Sequence, residues 1–253
     1  MPDLSVTGWL LVLLAAAFAG FSKTAIGGAG AVSAALFALA LPARESTGAL
    51  LPLLICGDMI AVTRYRRNAN WRLIGRLMPW MLAGIALGVA FLALVRSNQA
   101  VKVSIGILIL TVLAVHLVVG GRLRERLAET GSQVTWGHRL TAGVAGIGAG
   151  FATMVANAAG SIMTVYLLLS GVTMLEFLGT GAWFFAIVNL LKLPFSVRLG
   201  LVQPGSLMLD VALLPALAVG AGLGILLINR IEQRHFERVA LTMAAVSAAF
   251  LLV

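Results

Sequence analysis

Two ammonium groups and one carboxylate stand where this sequence is otherwise apolar. Lys23 interrupts AGFSKTAIGGAG, Lys192 lies in NLLKLPF and Asp58 in LICGDMIAV. A charge near the centre of a bilayer is expensive unless it is paired or reaches the interface, so such residues point to binding or coupling. Around Lys23 the chain is rich in small residues: Gly20, Ser22, Thr24, Gly27, Gly28 and Gly30. At an offset of 130, AGFATMVANAAG places Asn157 where the first stretch has Gly27, and Gly160 where it has Gly30. A helix broken at such a place frees backbone N–H groups, which in lipid must be satisfied by protein, water or substrate. N–H groups at a helix N-terminus carry partial positive charge and suit an anion. The chemistry indicated is capture of a small anion by two helix breaks and two ammoniums. Asp58 serves as counter-ion to Lys23 or Lys192, or as a proton carrier, whereas its counterpart at an offset of 131, Asn189, cannot titrate. The competing role for the glycines is close helix packing through small residues, as at Gly27 and Ala31.

Other reactive side chains carry less. The single cysteine, Cys56, reads as a small buried residue. With no HExxH and no cysteine pair, no metal site can be argued, and no cofactor is implied. SKT at 22–24 lacks the upstream glycine of a phosphate-binding loop. A Ser161–His116 dyad would serve an intramembrane hydrolase, but nothing aligns the two residues. Asp210 and Glu176 are expected at segment ends.

The elements that must hold these groups follow from composition. Of 253 residues, 60% are hydrophobic and 11% charged, where a soluble domain carries about 25% charge. A soluble enzyme, a disordered chain and a disulfide scaffold are excluded. The reading is an all-α polytopic membrane protein with apolar segments at about 4–43, 46–63, 77–95, 103–121, 140–175, 177–194, 206–229 and 239–253. Segment 140–175, free of formal charge, would make a straight helix of about 54 Å against a hydrocarbon core of about 30 Å. It must tilt, break or re-enter, and 4–43 has the same excess. One crossing each gives eight spans and two halves pointing the same way; two crossings each give ten and inverted halves.

The net charge of +9 is concentrated in loops 64–76 and 122–139. Two crossings separate them, so they share a side, and their arginines make it cytoplasmic, beside anionic lipid rather than nucleic acid. A duplication organises the rest. Besides the glycine-rich stretches and the Asp58–Asn189 match, Pro79, Gly84 and Gly88 fall on Pro215, Gly220 and Gly224 at an offset of 136. Residues 1–121 are read as a first repeat, 122–139 as a basic linker and 140–253 as a second repeat. Duplicated halves with a site between them are a common transporter plan.

The ordered set GFSKTAIGGAG (20–30), STGALLPLLICGDMIA (46–61), ANAAGSIMTVYLL (156–168) and FLGTGAWFFAIVNLLKLPF (177–195) resembles the sulfite exporter TauE/SafE family of membrane permeases. The resemblance covers nearly the whole chain. It implies transport of small, often sulfur-containing anions and a duplicated four-plus-four helix plan in a bacterial inner membrane, which favours eight spans. Carried over, the substrate site comprises Lys23, Thr24, Gly27, Gly28 and Gly30 with Asn157, Gly160, Thr180, Asn189 and Lys192. Asp58 is then a coupling or charge-pairing residue. The expected function is secondary transport, as an exporter of sulfite or an organosulfonate by alternating access, with proton or ion coupling and homo-oligomerisation left open. The alternatives are a non-transporting membrane scaffold and the hydrolase.

Overall fold

In lipid a backbone has no water to bond, so an apolar chain of this composition must close its hydrogen bonds within helices. The computed structural model describes residues 4–25, 30–95 and 138–228, with single residues and short stretches within 97–100 and 230–242. The main helices of these residues are α1 (Val6–Ala25), α2 (Gly30–Ala40), α3 (Ala43–Tyr65), α4 (Trp71–Leu94), α5 (His138–Ala156), α6 (Ala159–Leu169), α7 (Met174–Arg198) and α8 (Pro204–Ile228). Among the described residues, five helical stretches, in α1, α3, α4, α7 and α8, are long and apolar enough to cross a membrane. Leu10, Leu14, Leu82, Leu87, Leu223 and Leu226 face outward, as suits a lipid-facing surface. Expected segment 103–121, His116 and most of linker 122–139 and segment 239–253 lie outside the described residues, as do Gly27 and Gly28.

Each overlong segment resolves into a long helix and a short one. Segment 4–43 becomes α1 and α2, and segment 140–175 becomes α5 and α6. With 11 residues each, α2 and α6 are about 16 Å long and cannot span a bilayer. Gly30 lies beside Ser22 and α2 packs against α1, so α2 must turn back along it. Ile162 likewise reaches back to Gly148, folding α6 along α5.

Glycines set how the long helices meet. A Cβ on Gly220 would stand 1.8 Å from the carbonyl oxygen of Ala17, and one on Gly20 would stand 2.0 Å from that of Leu217. This is the closest seam, α1 on α8. The other is α4 on α5, where a Cβ on Gly84 would meet the Ile147 oxygen at 2.2 Å and one on Gly150 the Met81 oxygen at 2.3 Å. Along both seams the contacts advance in the same direction: Ala17 then Thr24 against Gly220 then Gly224, and Leu77, Met81 and then Gly88 against Gly146, Gly150 and Met154. Helices α3 and α7 instead run opposite ways, with Asp58 on Asn189 and Tyr65 on Gly179.

Pro194 lies inside α7, yet the helix continues through it to Arg198. One N–H is lost, but the remaining backbone groups have no better partner in lipid than the helix itself.

Candidate functional site

The charged residues meet where α3 crosses α7, between the two helix breaks. Asp58, fully buried on α3, takes the Lys23 ammonium on one oxygen at 2.6 Å and accepts from the Asn189 amide on the other at 2.6 Å. The Lys23 ammonium also lies 4.5 Å from the centre of the Phe185 ring, a cation–π contact. Of the two lysines offered to Asp58 by the sequence, Lys23 is the partner.

Lys192 is bound differently. The residue is 1% exposed, and its ammonium donates to the Thr153 carbonyl at 2.7 Å, to the Thr153 hydroxyl at 3.0 Å and to Asn157 Oδ1. Every one of these acceptors is neutral. Asn157 in turn donates through Nδ2 to the Thr47 carbonyl at 2.9 Å, tying the break to α3. It closes α5 with φ 53°, in the left-handed region that asparagine tolerates better than most residues. After it, the Ala158 N–H reaches back to the Ala152 carbonyl at 3.2 Å, and α6 begins at Ala159.

Counted formally, Lys23, Lys192 and Asp58 set two ammoniums against one carboxylate, a sum of +1. A buried ammonium whose hydrogen-bond acceptors are all neutral keeps part of its desolvation penalty, of order several kcal/mol. A small cavity adjoins the cluster, with a volume of about 40 Å³. At ~10–15 Å³ per water-sized occupant, that is room for about three. Of the expected site residues, Lys23, Gly30, Asn157, Gly160 and Asn189 line it. Asp58 and Lys192 stand one side chain behind, holding Asn189 and Asn157.

Thr24 and Thr180 are not among the lining residues. The Thr24 hydroxyl donates to the Gly20 and Ala221 carbonyls at 3.1 and 3.0 Å, fastening α1 to α8. Thr180 accepts the Asn70 N–H at 2.9 Å and so fixes the loop after α3. The sequence reading missed Ser22, Thr153 and Thr164, all buried and all lining the cavity. Thr153 was open to discovery, because it is the residue that aligns with Lys23 at the offset of 130. Asn189 Oδ1 and the Thr164 hydroxyl are buried there without hydrogen-bond partners among the described residues. Asp210, expected at a segment end, is instead two turns inside α8 and buried. The cause is rotation: the face of α8 carrying Leu209, Leu213, Leu217 and Gly220 turns inward.

Comparison with protein-family models gives a match over residues 12–251 to the family described as sulfite exporter TauE/SafE. No curated protein and no solved structure matches the chain.

Proposed function

We propose, for a chain that belongs to the sulfite exporter TauE/SafE family of membrane permeases, secondary transport of a small anion, sulfite or a short organosulfonate, through the cavity between α1, α6 and α7. The observation that carries this reading is the pair of lysines set against a single carboxylate beside that cavity. Lys192 is buried against neutral acceptors only, and an anion admitted next to it supplies the missing counter-charge. Lys23, which lines the cavity, offers the direct contact, and Asp58 holds it in place.

The transport cycle we propose is alternating access between two inverted halves, α1–α4 and α5–α8. Several contacts support it. The seam of α1 with α8 has its counterpart in that of α4 with α5. Asp58 and Asn189, equivalent by the duplication, touch each other, as residues beside a two-fold axis do. Gly48 and Gly179, also 131 apart, each admit a loop of the other half: Leu201 against Gly48, and Tyr65 and Asn68 against Gly179. The parallel course of α3 and α8 puts their C-terminal ends, and so loop 64–76 and Arg230, on one side, which we take as cytoplasmic from the arginines there.

In proteoliposomes, Lys23→Ala and Lys192→Ala should each cut sulfite flux at least tenfold. Normal flux in both variants would eliminate this site. A thermal-stability screen with sulfite, sulfate, thiosulfate and short sulfonates identifies the anion.

A further inference from the structure

Asp210 has no place in the anion site, yet it is 5% exposed and neither carboxylate oxygen has a hydrogen-bond partner among the described residues. It lies about 9 Å along α8 from Pro204, inside the apolar stretch. Its neighbours on that face, Leu209 and Leu213, pack with Val12, Ala15 and Ala16 of α1 and with Leu50, Leu53 and Leu54 of α3. Lys23 is the one titratable residue of α1, and it is committed to Asp58 at the level of Leu217, two turns away. From α3, Cys56, which is exposed rather than buried as the sequence suggests, lies within electrostatic range. Asp58 is bound on both oxygens, Arg64 and Tyr65 stand at one end of that helix, and Glu45 is exposed in its first turn at the other.

A bare carboxylate in apolar surroundings is far costlier than its neutral acid. A metal cation would need a cage of several oxygens. The one hydroxyl of α8, that of Ser206, is donated to the Gln203 carbonyl at 2.8 Å. The occupant that fits is a proton. Nor does packing require a carboxyl here: at the offset of 136 that aligns Pro79 with Pro215, Asp210 falls on Ile74, a buried apolar residue of α4. The helix bearing Asp210 is fastened to the helix bearing Lys23, through the Thr24 hydroxyl and the glycine seam.

We propose that Asp210 is a proton-carrying site, taking one proton from water as its O–H bond forms and returning it to water as that bond breaks, once per transport cycle. The α1–α8 pair links it to the anion. The inference rests on the anion-transport reading, and its test separates the two. In the infrared spectrum of the full-length protein at neutral pH, wild type should show the carbonyl band of a free carboxylic acid, absent from Asp210→Asn and retained in Asp210→Glu. In proteoliposomes, a pH gradient should drive sulfite accumulation in wild type and Asp210→Glu, and at least tenfold less in Asp210→Asn. Sulfite counterflow without a gradient should be alike in all three. Absent counterflow in wild type would refute the anion reading; normal counterflow with undiminished pH-driven accumulation in Asp210→Asn, or no infrared band, would overturn the role of Asp210. If the Asn variant does not fold, the wild-type band decides: it must change in intensity when sulfite is added, and an unchanged band overturns the proposal.

Discussion

Replacing Lys192 by methionine should move binding and stability in opposite directions. The substitution keeps the unbranched stem and removes the charge, taking the cluster of Lys23, Lys192 and Asp58 formally from +1 to neutral. The ammonium stands one amide behind the cavity wall, ~5–7 Å from an anion within it. At an effective dielectric of ~20, that attraction amounts to about 3 kcal/mol, roughly a hundredfold in Kd. On the stability side, Asn157 Oδ1 loses its donor, which costs about 1–3 kcal/mol. The Thr153 carbonyl keeps the N–H of Asn157 at 3.1 Å and is not orphaned. Against this, several kcal/mol of desolvation penalty disappear with the charge. The anion-free Lys192→Met protein should therefore melt at or above the wild-type temperature, about 1–3 kcal/mol more stable. Sulfite should raise its melting temperature only at concentrations roughly a hundredfold higher. The measurement is a sulfite titration of thermal unfolding in detergent, wild type beside variant. A variant that melts several kcal/mol lower yet binds sulfite with wild-type affinity would show Lys192 to be a structural anchor, and the charge argument would fail.

Two further substitutions probe the frame. Gly220→Ala places a methyl group 1.8 Å from the Ala17 carbonyl oxygen, and should cost about 1–3 kcal/mol or more by prising α1 from α8. Gly222→Ala, with no atom within 4 Å of its Cβ, should be neutral or stabilise by up to ~1 kcal/mol; thermal melts of the two variants side by side check the contrast. Asn157→Ala must hold a φ of 53° without a side chain for Lys192 or Thr47. It should lose about 2–4 kcal/mol, and Asn157→Gly should recover the backbone share but not the sulfite affinity, as read by melting with and without sulfite.

The membrane class and the two helix breaks were legible because hydropathy and helix-breaking chemistry are local properties. A run of 36 uncharged residues cannot be one straight span, and the stretches around Lys23 and Asn157 say where it gives way. Lys23, Asp58 and Lys192 stood out for the same reason: a charge in an apolar run is visible without coordinates. Asn189 and Thr153 were reachable through the duplication, although only Asn189 was taken from it.

The partners were not legible. Nothing local says that Asp58 meets Lys23 rather than Lys192, that Thr24 and Thr180 serve helix and loop contacts instead of the cavity, or that Asp210 turns inward. Which face a helix shows is fixed by its rotation about its own axis, and that rotation is fixed by glycine seats such as Gly20 on Leu217 and Gly220 on Ala17, some 200 residues apart in the chain. The sequence thus determined which residues lie at membrane depth and where the chain must bend. The packed helices alone decided which charges neutralise one another, because neutralisation depends on separations of a few ångströms that are set only once distant helices close together.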